Sequence, residues 1–410
     1  MSTHGRLFVL VAFVCLAGGV FGHDGSHTSG MVACDANVAD GFACRGVDLM
    51  SRLVSDDIGG GPLNDIWGWT DSMTGREYAL VGRFAGTSFV DVTDPESPVY
   101  HGELPSHADI VRKHEGEASD WRDVKVYGDY ALIVSEEPGH GLQVFDLTQL
   151  RNVTNPPLVF QETARYAGFG SAHNLVVNED TGFAYAVGSN IQAGGLHIVD
   201  IKDPLNMVFA GAYSGDGYTH DAQCVVYSGP DVAYTGRELC FCLNEDTLTI
   251  VDVTDKSAPV QLSRRTYSLF GYAHQGWLTD DQRHFISNDE ADELNFGMRT
   301  RTLIWNVADV DAPVVAHEYS SAMNSIDHNN YVTGRYLYQS NYTTGLRVLD
   351  VSHPTSPLEV GFFDTYNATD APVFDGSWSN YPFFASGTVV VSDISEGLFV
   401  VRPQFTDPAI

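Results

Sequence analysis

The stretch GLQVFDL, Gly141 to Leu147, decides the fold because the chain keeps repeating it. Its relatives read GTSFVDV, GLHIVDI, TLTIVDV, TLIWNV, GLRVLDV and GLFVVRP. The aligned polar position runs Asp91, Asp146, Asp200, Asp252, Asn306, Asp350 and Arg402, at intervals of 55, 54, 52, 54, 44 and 52 residues. Seven copies at a period of about 50 specify a propeller or a solenoid rather than a string of separate domains.

The surroundings of each copy repeat as well. Ahead of it lies a small-residue strand such as EYALVGR, YALIVSE, FAYAVGS, DVAYTGR, HFISND, YLYQSN or TVVVSD. Behind it come a turn such as TDPESP or SHPTSP and an apolar strand such as VYHGEL or LEVGFF. Asp, Pro and Gly in those turns provide the backbone geometry of a reversal. A further strand, opening on His or Asp, begins each unit. Four strands per period, alternation with period 2 and few helical patterns give an all-β fold, a seven-bladed β-propeller of four-stranded blades. The seventh copy lacks an outer strand, and the segment Gly46 to Ser55, GVDLMSRLVS, is expected to supply it and close the ring. A six-bladed ring, with the seventh copy paired outside it, is the alternative.

The strand-opening residues are Asp65, Asp123, His173, His220, His274, His328 and Asp375, within stretches such as SAHNLVV, THDAQCVV, YAHQGWL and SIDHNNYV. In a propeller the innermost strands begin on one face, where the loops between second and third strands also open. Those loops carry Glu136, Glu137, Arg237, Glu238, Asp289, Glu290, Asn341 and Asp393. The insertion before Trp121 adds His107, Asp109 and His114. Imidazole and carboxylate are the usual divalent-metal ligands and the usual general acids and bases. Two readings follow. The repeated residues pin each blade to the next through backbone hydrogen bonds, or a few neighbours bind an ion. His220 and His274, with Asp221, Glu238, Asp289 and Glu290 expected nearby, are the candidate metal ligands. No catalytic residue is assigned, because the chain has no His-Glu-x-x-His helix and no Gly-x-Ser-x-Gly elbow. The tryptophans Trp67, Trp69, Trp121, Trp277, Trp305 and Trp378 are expected to pack between blades.

Residues 1–22 have the layout of a cleavable secretory signal: Arg6, an apolar run from Leu7, then small residues. The remaining expectations are an N-terminal segment at 23–42, the propeller at 43–403 and a tail at 404–410. The formal net charge of −31 repels nucleic acid and anionic lipid. Loss of the signal removes Arg6 and no acid, so the mature chain is more negative still. In an oxidising compartment Cys34 and Cys44 are expected to pair, and Cys224, Cys240 and Cys242 to give one pair and one leftover, with Cys224–Cys240 favoured, Cys242 left free and a Cys-x-Cys zinc site the lesser alternative. Asn152, Asn341 and Asn367 stand in glycosylation sequons, relevant if the source is a eukaryote.

The stretches NDIWGWTDSMTGREYALVG, FVDVTDPESPVYHGELPSH, WRDVKVYGDYALIVSE, GLQVFDLTQLR, AHNLVVNEDTGFAYAVG, HDAQCVVYSGPD and SDISEGLFVV resemble the choice-of-anchor B proteins, whose blades are similar to the LVIVD repeat. The resemblance spans roughly residues 43–403. It implies an exported repeat protein, like members described as regulatory P-domain proteins, and it carries no reaction over to these residues. Many such proteins end in a surface anchor; the tail VRPQFTDPAI is not hydrophobic, so release is expected.

The resulting expectation is a secreted, monomeric binding or scaffolding propeller. Its ligand, an extracellular protein or carbohydrate, meets the His/Asp-rich face, with no nucleic acid and no transmembrane anchor. The alternative is a metal-dependent, lactonase-like hydrolase with a divalent cation at the channel mouth.

Overall fold

The structure is a computed structural model, described over residues 27–107 and 121–405. The inner strands Leu63–Thr70, Arg122–Tyr127, Asn174–Asn178, Asp221–Val226, Ala273–Leu278, Asn330–Thr333 and Ser377–Tyr381 each contact the next, and the last contacts the first. Seven inner strands therefore line one channel, and three more antiparallel strands extend each blade outward. The ring has seven blades, not six.

Closure follows the expectation from Gly46 to Ser55. Val47–Leu53 pairs antiparallel with Gly397–Pro403, from Val47 opposite Pro403 to Leu53 opposite Leu398. Alternation splits its side chains between the two inter-blade cores. Val47 and Leu49 pack with Val389, Val391, Phe399 and Val401, while Met50 and Leu53 pack with Val390, Leu398 and Val400. The preceding chain adds Phe42–Arg45 to the edge of blade six, with Cys44 opposite Phe363. The Cys34–Cys44 disulfide holds that extension. Cys224 and Cys240 face each other across paired strands and are bonded, and Cys242 is free and buried.

Between blades the cores are apolar, with Phe89 stacked 4.7 Å from Phe145 and Phe241 stacked 5.5 Å from Phe285. Each such buried ring stabilises the fold by about 1.5–3 kcal/mol. In six blades the outermost strand carries one extra residue opposite the third strand, as at Ala210 opposite Ile198/Val199 and Leu262 opposite Ile250/Val251, which increases local twist. In blade three, Gly211 lets the turn of blade four dock, because an added Cβ would overlap the carbonyl of Lys256.

One strand differs from the sequence reading. In blade four the second strand is Glu238–Leu243, and most of DVAYTGR is a turn. Asp231 organises that turn, its side chain accepting from the Ala233 amide at 3.3 Å and its carbonyl from the Tyr234 amide at 3.0 Å. ELCFCL, buried throughout, is the better core strand. Residues 1–22, read from the sequence as a secretory signal, lie outside the described residues together with Asp109 and His114. Among the described residues no helix is long and apolar enough to cross a membrane.

Candidate metal centre at the channel mouth

Four successive blades place a histidine at the same height, just before or at the start of the inner strand. The rings of His173, His220, His274 and His328 therefore form an arc, with centroids 4.4, 4.1 and 4.2 Å apart in order. Trp378 of blade seven continues it, 4.9 Å from His328. His220, His274 and His328 are buried, and His173 is half-buried. Two loop acids come to the arc from the ends of second strands. Glu136 meets His173 Nδ1 at 2.7 Å. Glu290 lies 3.7 Å from His274 Nε2 and 3.5 Å from His328 Nε2, and Tyr342 donates its hydroxyl to Glu290 Oε1 at 2.8 Å.

The hydrogen bonds decide which ring nitrogen is bare. His220 Nδ1 is 2.9 Å from the carbonyl of His274, and His328 Nδ1 is 2.5 Å from the carbonyl of Trp378. A carbonyl oxygen only accepts, so Nδ1 carries the proton in both rings. Burial holds His220 and His274 well below the ordinary imidazole range and His328 at about 3, so all three rings are neutral, and in His220 and His328 Nε2 presents a lone pair. Such a backbone partner on the remote nitrogen is the usual support of a metal-ligating histidine. His173 is shifted the other way: burial opposes its charge, but the bond to Glu136 raises it. Burial also lifts the Glu290 carboxyl to about 7.

Among the described residues, two groups bring at least three ligand atoms within 4.8 Å of one another. One is His220, His274 and Glu290. The other, Asp231, Asp309 and Asp311, is mostly exposed and already bonded to backbone amides and to Tyr234. Two neutral imidazoles and one carboxylate suit zinc or a similar divalent ion and leave a coordination position open.

The remaining predicted residues divide. Asp65 and Asp123 lie in the channel around the half-buried Lys125, whose ammonium meets both carboxylates and sits 4.7 Å from the Trp67 ring. Asp221 belongs to the same group electrostatically, raised to about 7 by burial against the pull of Lys125. Asp123 Oδ2 accepts from the Leu175 amide in the next blade at 2.6 Å, so it pins blades. Asp289 is buried and bonded to backbone rather than aimed at the arc. Asp375 accepts from Tyr366 and Ser395, and Trp378 takes the arc position expected of it. His107 bonds Glu162 at 2.9 Å.

Glu238 is a correction. It pairs with Val226 at the far end of its blade, whereas Asp221 pairs with Leu243. There it accepts from Asn178 and Tyr185 of blade three and meets Lys256 at 2.5 Å. The cause is the shifted second strand, which also moves Arg237 away from the mouth. The Asn341 sequon is a second correction: its side chain is buried, while those of Asn152 and Asn367 are exposed.

Sequence reasoning missed Tyr342, Trp378 and Lys125. Lys125 had a signal, since strand alternation puts it on the same face as Asp123. The tyrosine had none, because a loop path brings it in, whereas Trp378 stands on the inner strand Ser377–Tyr381, three residues after the expected Asp375.

Fold and site together define a seven-bladed propeller of LVIVD-type blades with an imidazole–carboxylate cluster at one channel mouth. Four segments, residues 118–161, 169–215, 231–265 and 330–365, match the LVIVD repeat. No curated protein matches the chain. Among solved structures it is similar to Kuenenia stuttgartiensis hydrazine synthase, at 14% identity and a TM-score of 0.57 over 84% of this chain and 96% of that one. It is also similar to the β-propeller domain of Myceliophteria thermophila Cps50 (Swd1), at 12% identity and a TM-score of 0.52 over 84% and 98%. At these identities the likeness shows the fold alone.

Proposed function

We propose that the protein is an exported binding propeller, of the choice-of-anchor B kind, whose ligand face is the histidine-bearing channel mouth. A divalent ion on His220, His274 and Glu290 anchors an electron-pair donor of the ligand there. The observation that carries this reading is the pinned Nδ1 of His220, which leaves a neutral Nε2 facing a second imidazole and a carboxylate. Two disulfides and the layout of residues 1–22 support export. The rigid ring with loops on one face supports binding, and the acidic surface favours cations.

The test is elemental analysis of protein purified without chelator, beside the same analysis of a His220→Ala/His274→Ala variant. Near-stoichiometric zinc, copper or nickel in the wild type, lost in the variant, supports the reading; equal metal in both rejects it. A second reading, metal-dependent hydrolysis, is favoured by the ligand set itself. Two histidines and a glutamate leave room for an activated water. The depth of His220 and His274 weighs toward binding, because only a small group reaches them.

A further inference from the structure

Glu290 brings two unlike oxygens to the channel mouth. Oε1 accepts the Tyr342 hydroxyl at 2.8 Å and lies 3.5 Å from His328 Nε2. Oε2 lies 3.7 Å from His274 Nε2 and has no hydrogen-bond partner among the described residues. His328 cannot donate to Oε1, because its proton is on Nδ1 and engaged by the carbonyl of Trp378. Among the described residues, Tyr342 is therefore the one hydrogen-bond donor to this carboxylate.

Tyr342 reaches Glu290 from the next blade and out of an unfavourable backbone conformation. It lies in the loop between Tyr336–Ser340 and Leu346–Asp350 of blade six, at φ 39°. A bulky residue in the left-handed region is uncommon and persists only where its surroundings enforce it. Blade seven does so here. The Tyr342 amide donates to the Ser377 carbonyl at 3.2 Å, and the Ser377 amide donates to the Tyr342 carbonyl at 2.9 Å. Gly376 permits this approach, since an added Cβ would overlap the Tyr342 carbonyl. The tyrosine is 2% exposed, its ring 4.7 Å from that of His328 and 5.6 Å from that of Phe374.

We infer that Tyr342 is a positioning residue that confines Glu290 to single-oxygen coordination, and so selects a four-coordinate ion of the zinc kind over a six-coordinate one such as manganese. The inference rests on the reading of His220, His274 and Glu290 as a metal centre. Its physical basis is the claim of the hydroxyl on Oε1. An oxygen that already accepts a proton gives less electron density to an ion, and closing both oxygens on one ion would strain that hydrogen bond. The ion is left with two imidazole nitrogens and Oε2, three ligands beside an open position, which is the pattern of zinc. Manganese favours a fuller shell of oxygens, and a Glu290 free to chelate would offer it one more.

The test is Tyr342→Phe in the full chain, which removes the hydroxyl and keeps the ring packing and both backbone bonds to Ser377. Chelated protein is titrated with zinc and, separately, with manganese, and cobalt serves as a visible-absorption probe of coordination number. The wild type should bind zinc and give the intense cobalt band of a four-coordinate site. Tyr342→Phe should bind zinc about 10- to 100-fold more weakly, the usual effect of losing a partner behind a metal ligand. It should hold manganese at least as well as the wild type and give a weaker cobalt band. In a Glu290→Ala background, Tyr342→Phe should change zinc affinity no further. A wild type that binds no zinc overturns the metal centre itself. A wild type that binds zinc, beside a Tyr342→Phe variant with unchanged zinc affinity and cobalt spectrum, overturns only the role of Tyr342. Equal weakening of zinc and manganese, or the same loss of zinc affinity in the Glu290→Ala background, also overturns that role, in favour of a tyrosine that merely supports its loop.

Discussion

His220 Nδ1 donates to the carbonyl oxygen of His274, its neighbour in the arc, across the boundary between blades four and five. The single bond serves two ends. It pins the blades, and by fixing the tautomer it frees Nε2 for a ligand. Pinning and metal binding, rival readings of the repeated histidines, are therefore compatible in one side chain.

The pair separates the two roles by mutation. His274 makes no such bond through Nδ1. Both His220→Ala and His274→Ala should lose the bound transition metal. In metal-free protein, His220→Ala should be less stable than His274→Ala by about 1–3 kcal/mol, because it strands a buried carbonyl. Denaturant melts of the two chelated variants measure this, and equal stabilities would remove the pinning role.

Closure of the ring rests on Val47–Leu53. Leu49 is fully buried among Phe399, Val401 and Leu346. Leu49→Ala should cost about 2–5 kcal/mol, and deletion of residues 43–57 should abolish cooperative melting. An unchanged melt after the deletion would show that the ring holds without its N-terminal strand.

Asp393 gives a pH dependence with a definite sign. Burial lifts its carboxyl to about 8, against an unfolded value of about 3.9. The folded state therefore keeps a proton that the unfolded state releases between those values. This contribution to stability is complete below about pH 4 and is lost as the pH rises toward 8. Asp393→Asn keeps an acceptor for the amides of Ser395 and Glu396 and cannot ionise. Its stability relative to wild type should improve from pH 5 to pH 8, by up to about 1.4 kcal/mol per pH unit. A difference that does not change with pH would mean that Asp393 is ionised throughout.

The blade count, the closing strand and the histidine arc were legible because each depends on a repeating register, and the disulfides because their cysteines stand 10 and 16 residues apart in the chain. A residue at a fixed offset from GLQVFDL or its relatives falls at a fixed height in the ring. Glu238 was misplaced because DVAYTGR and ELCFCL both read as strands, and burial of the second against blades three and five decided between them. Asp327 was passed over for the histidine beside it. Nothing in SIDHNNYV shows that Asp327 is fully buried, within the electrostatic reach of acids about 30 residues away in the chain.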